Sequence, residues 1–140
     1  MTRLTISIEA LRHNLEVVGS WMSEFGASWT LVTKVLCGHE ETLHTLGRLG
    51  IHMLADSRVE NLEAVRASCP DCETWYLRPP HLSQVDAIVS LADTSLVSEV
   101  TSIEALDLAA AKKGLTHKIV IMIELGDLRE GILPGSLVQF

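Results

Sequence analysis

Ile8, Leu11, Leu15, Val18, Met22 and Phe25 are spaced 3, 4, 3, 4 and 3 residues apart, one continuous apolar stripe on a helix. Ser7 is placed to cap it and Gly26 to stop it. Four more helical patterns follow. Glu40 to Leu49 turns Leu43, Leu46 and Leu49 inward and stops at Gly50. Ser57-x-x-Glu60 spells a capping box ahead of Val59, Leu62 and Val65, and Pro70 forbids continuation. Leu82 to Ser90 uses Leu82, Val85 and Val89. A second box, Thr101-x-x-Glu104, opens a helix carrying Ile103, Leu106 and Ala110 to a stop at Gly114.

Between these helices lie apolar stretches that begin at Thr30, His52, Thr74, Thr94 and Lys118, at intervals of 22, 22, 20 and 24 residues. Units this short leave no room for hairpins between helices, so β-helix-β crossovers and a parallel sheet are expected. The last stretch, Lys118 to Leu125, is apolar at successive positions over Ile119 to Ile123, which predicts a strand covered on both faces. A doubly wound sheet and an α/β barrel both fit the alternation. No G-x-G-x-x-G follows the first strand and no G-x-x-x-x-G-K occurs, and a lysine ending the first strand favours the barrel.

Composition narrows the class. The chain has 140 residues, 47% hydrophobic and 21% charged, enough to bury a sizeable core. A net charge of −7 without a Lys/Arg cluster argues against a nucleic-acid partner. No apolar run approaches the roughly 18 to 20 residues of a membrane-spanning helix. The opening MTRLTISIEA lacks a signal-peptide core, so a cytoplasmic location is expected. Three cysteines make no disulfide framework. Cys69-Pro70-Asp71-Cys72 spells C-x-x-C, but zinc needs a second ligand pair and a redox cysteine opens a helix, whereas this pair precedes a strand; a loop holding two cysteines is the simpler reading. The six histidines lack metal-binding spacing, and no metal site is expected.

The chemistry concentrates after the strands. Lys34 ends the run Trp29 to Thr33 and precedes Val35-Leu36-Cys37-Gly38-His39. An amine at the carboxyl end of a buried strand is neutralised, paired or consumed in a covalent bond such as a Schiff base; the alternative is a snorkelling strand terminus. Asp56-Ser57-Arg58, Arg78-Pro79-Pro80, Ser98-Glu99 and the segment Gly126 to Gly131 follow the other four strands. In parallel α/β folds that end binds ligands.

The blocks VTKVLCGHE, LADSRVENL, YLRPP, SLVSE and MIELGDLREGI, in this order from about Leu4 to Leu133, resemble the alanine/ornithine racemase group of pyridoxal-phosphate enzymes. The resemblance implies an N-terminal α/β barrel, a pyridoxal 5'-phosphate cofactor and a small amino-acid substrate. It implies that Lys34 forms the Schiff base and that Arg129 lies near the cofactor's phenolic oxygen. Cys37, His39, Asp56, Ser57, Arg58, Arg78 and Asp127 are candidates for substrate contact or support. The turn after Lys34 is one residue shorter than in alanine racemases proper, with Cys37 before the glycine where their phosphate-binding tyrosine stands, which points to the ornithine side. Met122 occupies the position where many alanine racemases carry a modified lysine.

A complete barrel has eight strands and about 250 residues. Five strands are readable here, so residues 1–140 are expected to be the front part of a racemase, inactive alone and prone to self-association as a homo-oligomer through open strand edges. A pyridoxal-phosphate carrier without amino-acid turnover, and an inert half-barrel, are the other two readings.

Overall fold

The computed structural model describes residues 5–139. Helix α1 (Ile8–Glu24) precedes four β/α units and a fifth strand: β1 (Leu31–Val32) and α2 (Glu40–Arg48), β2 (Met53–Asp56) and α3 (Val59–Ser68), β3 (Glu73–Tyr76) and α4 (Val85–Leu91), β4 (Thr94–Val97) and α5 (Val100–Lys113), then β5 (Lys118–Ile121). All neighbouring strands are parallel, and their order in the sheet is their order in the chain. Crossovers of one hand that always step the same way lay every helix on one face of the sheet. A doubly wound sheet reverses direction and uses both faces, so sequential order selects the barrel type, here its first five strands.

The core lies between sheet and helices in two clusters. Leu43, Leu46, Ile51, Leu54, Val65, Cys69 and Cys72 form one around α2, and Leu11 and Leu15 of α1 rest against it. The other joins Leu62, Tyr76, Ile88, Val97 and Leu106 across α3, α4 and α5. The α1 stripe is thus only partly used: Leu11 and Leu15 dock, while Phe25 stays 72% exposed. Ser7 caps α1 by accepting from the Ala10 N–H, as expected.

Several expectations are corrected. Neither capping box forms: α3 starts from Arg58 and α5 from Glu99, without side-chain caps. Ser57 is displaced because the Asp56 carboxylate already accepts the Ser57 and Arg58 N–H groups, and α5 starts one residue before Thr101. The fourth helical stretch begins as a 3-10 turn, Leu82–Gln84, leaving Leu82 exposed; the α-helix starts at Val85. Strand β5 ends at Ile121, and all four of its residues are exposed because it is an edge strand, not a doubly covered one.

Candidate functional site

Five parallel strands put all their carboxyl ends on one rim, which gathers Lys34, Asp56-Ser57-Arg58, Arg78, Ser98-Glu99 and the segment 124–131. The rim is built outward from β1. Backbone pairing with β2 continues past Val32, where Thr33 N–H donates to the Ala55 carbonyl at 2.8 Å. The chain then leaves the sheet in a 3-10 turn, Lys34–Leu36. Lys34 is exposed, which corrects the expectation of a desolvated amine: the strand ends at Val32, and the turn carries the lysine into the open rim. No hydrogen bond or ion pair engages its amine among the described residues.

Cys37 adopts φ 47° and closes the turn, its exposed thiol 3.7 Å from the Lys34 carbonyl oxygen. Gly38 at φ 73° seats the turn on α3, where an added Cβ would lie 3.2 Å from the Ala64 Cβ. His39 occupies the N-cap of α2 and spends Nδ1 on the Thr42 hydroxyl at 2.9 Å, away from Lys34.

Asp56 is fully buried and saturated. One oxygen accepts from Ser57 N (2.7 Å), Arg58 N (3.1 Å) and Asn61 Nδ2 (3.1 Å); the other accepts the Thr33 hydroxyl at 2.9 Å. It therefore fixes the turn from β2 to α3 and the residue before Lys34, and offers nothing to a ligand. Ser57 is half-buried, with its N–H used by that carboxylate, while the Arg58 and Arg78 side chains are exposed and without ion pairs among the described residues.

After β5 the chain makes a closed loop. Ile123 and Ile132 pair in parallel, with Glu124 N to Ile132 O at 2.9 Å and Ile132 N to Met122 O at 2.8 Å. Glu124 turns into that loop at 9% exposure, and its carboxylate accepts the N–H of Gly126 and, at 3.1 Å, of Leu128. These backbone donors, Gly126 first and then Leu128, with smaller help from the Arg129 N–H, hold its pKa below the usual carboxylate range despite desolvation. Asp127 is exposed in the same loop, and Arg129 projects its side chain exposed and unpaired among the described residues.

Two of the rim's acids, Asp56 and Glu124, are turned inward and used by hydrogen-bond donors, while Lys34, Arg58, Arg78 and Arg129 are exposed on it together with Glu99 and Asp127. One amine and several guanidinium groups suit a ligand carrying an aldehyde and several anionic oxygens. Thr33, Asn61 and Glu124 escaped the sequence reading. Thr33, a polar residue just before Lys34, and Glu124, an acid two residues before Gly126, were the available signals.

A family model described as the alanine racemase N-terminal domain matches residues 6–140. The chain belongs to that family. It is 34% identical over 136 residues to an ornithine racemase of Acetoanaerobium sticklandii, covering 96% of this chain and 37% of that protein. It is 30% identical over 137 residues to a lysine racemase of Thermotoga maritima, covering 98% and 39% respectively. The chain spans under two fifths of the length of these curated relatives. Among solved structures, PipY of Synechococcus elongatus without pyridoxal phosphate superposes at TM-score 0.72 and 19% identity, over 87% of this chain and 60% of that one. PipY is also solved with pyridoxal phosphate bound, at TM-score 0.68, 20% identity and coverage of 79% and 54%. At such identity the likeness speaks for the fold. No helix among the described residues is long and apolar enough to cross a membrane.

Proposed function

We propose that residues 1–140 are the front part of a pyridoxal-phosphate-dependent amino-acid racemase of the ornithine racemase type. The observation that carries this reading is the exposed, unpaired Lys34 on a turn anchored to Asp56, on a rim that also exposes Arg58, Arg78 and Arg129. The family match and two curated relatives named as racemases support it.

Pyridoxal phosphate, when bound, supplies an electron sink that acidifies the Cα–H of an amino acid. Lys34 Nζ would attach the cofactor and then take or return the Cα proton on one face. The Arg129 guanidinium would donate to the phenolic oxygen, and its planar fork suits an anionic oxygen better than an ammonium does. Arg58 and Arg78 remain free for the substrate carboxylate. Asp56 acts through Thr33 by fixing the backbone that carries Lys34. Reprotonation on the opposite face needs a second acid, which the proposal assigns to the additional length that the curated relatives possess.

Absorbance of the longer protein with added pyridoxal phosphate tests the reading. A band near the visible edge that shifts with both D- and L-ornithine is expected. A band indifferent to amino acids would replace racemisation with cofactor carriage, and no band would overturn both.

A further inference from the structure

At the opposite ends of the strands from Lys34, the Cys69-Pro70-Asp71-Cys72 segment joins α3 to β3. Cys72 N–H donates to the Cys69 carbonyl at 3.1 Å, closing a tight turn. Such a turn brings its first and fourth Cα atoms within about 7 Å, which overlaps the roughly 4.4–6.8 Å spanned by disulfides. Pro70 stiffens it at the position where a fixed φ is favourable.

Both side chains enter one core cluster. The Cys69 thiol donates to the Leu43 carbonyl and the Cys72 thiol to the Ile51 carbonyl, each at 3.1 Å. Helix α2 makes room by placing Gly47 against Cys69, where an added Cβ would stand 3.0 Å from the sulfur. A cleft lined by His44, Arg48, His52, Ser68 and both cysteines reaches the pair from the surface. Ser68 brings to its wall a buried hydroxyl without a partner. Among the described residues no group of three metal-binding side chains gathers, so the pair stands as two thiols alone.

We propose that Cys69 and Cys72 are a dithiol that closes into an intramolecular disulfide by exchange with a small-molecule disulfide entering the cleft. The Cys69 thiolate attacks one sulfur of the small disulfide, forming a mixed disulfide and releasing one small thiol. The Cys72 thiolate then attacks Cys69 Sγ, forming the protein disulfide and expelling the second small thiol; two protein thiols are oxidised and one small disulfide is reduced. Closure gives up both S–H donations to the Leu43 and Ile51 carbonyls. In the reduced pair burial, with the neighbouring Cys69 adding to it, pushes the Cys72 thiol up to about 11.

Intact mass and peptide mapping of the 140-residue chain in a series of oxidised-to-reduced glutathione ratios test this. The expected product has lost two hydrogen atoms, with Cys69 linked to Cys72, while the exposed Cys37 takes up glutathione or stays free. In Cys72→Ser the mixed disulfide at Cys69 persists. Closure in the unaltered chain should accelerate as pH rises, because the thiolate is the attacking form. Cys69 and Cys72 remaining reduced while Cys37 reacts would overturn the proposal. So would a Cys69–Cys72 bond that forms only where far-ultraviolet circular dichroism reports an unfolded chain.

Discussion

The Thr33 hydroxyl donates to the Asp56 carboxylate at 2.9 Å, tying the residue before Lys34 to the end of the neighbouring strand. Both partners are buried, Thr33 at 1% and Asp56 at 0% exposure. Removing one side leaves the other unsatisfied in a dry site, which costs more than the bond contributes. Thr33→Val should therefore lose about 1 kcal/mol of unfolding free energy, and Asp56→Ala, which orphans the donors of Ser57, Arg58 and Asn61 and leaves the Thr33 hydroxyl only the Ala55 carbonyl, about 2–4 kcal/mol. Urea unfolding of the two variants checks the order; equal losses would mean that Asp56 does not act as the hub.

The loop after β5 rests on Glu124, and its pH dependence follows from the direction of that shift. The folded pKa is lowered, so the carboxylate's contribution is fully present above the ordinary value of about 4.3 and is lost as pH falls through the lower folded value. The loop should stay closed in mild acid and open only as pH falls further, through the lowered folded value. Amide exchange at Gly126 and Leu128 reads this directly. Glu124→Gln should expose both amides at neutral pH; unchanged protection would remove Glu124 from its role.

Gly131 closes the same loop at φ 130°, and an added Cβ would lie 2.7 Å from Glu124 N and 2.9 Å from the Ile123 carbonyl carbon. Both neighbours are backbone and have nowhere to go. Gly131→Ala should open the Ile123–Ile132 bridge and admit protease between them, at a cost of about 1–3 kcal/mol for the strained backbone alone. Limited proteolysis with cleavage no faster than in the parent chain would contradict this.

Helices, strand order and the polar rim were legible because the heptad-like spacing of Leu11 and Leu15 and the even unit length are local properties of the chain. Burial was less legible. Ile119, Val120 and Ile121 read as a covered strand because an apolar run does not reveal whether a neighbour exists, and β5 is an edge. Asp56 and Ser57 were separable only in three dimensions, since the acid that precedes the serine takes the Ser57 N–H that the Glu60 side chain was expected to serve. Glu124 was missed because its partners are backbone amides, which sequence does not distinguish.

The exposed β5 edge predicts association. Ile119, Val120 and Ile121 are 37%, 39% and 41% exposed on a strand with one side unpaired. Sedimentation at roughly tens of micromolar should show oligomers, and Val120→Lys should reduce them. A stable monomer at that concentration would contradict the expectation.

The most direct test of the central claim is borohydride reduction in the presence of pyridoxal phosphate, with mass spectrometry of the lysine peptides. In the longer protein the label should fall on Lys34 and spare Lys112 and Lys113, at the end of α5, and Lys118, at the amino end of β5 and paired with Glu73 at 3.3 Å. In the 140-residue chain alone labelling of Lys34 should be weak, because a Schiff base without phosphate contacts holds cofactor poorly. Label spread evenly over Lys34, Lys112, Lys113 and Lys118 would contradict the assignment of Lys34.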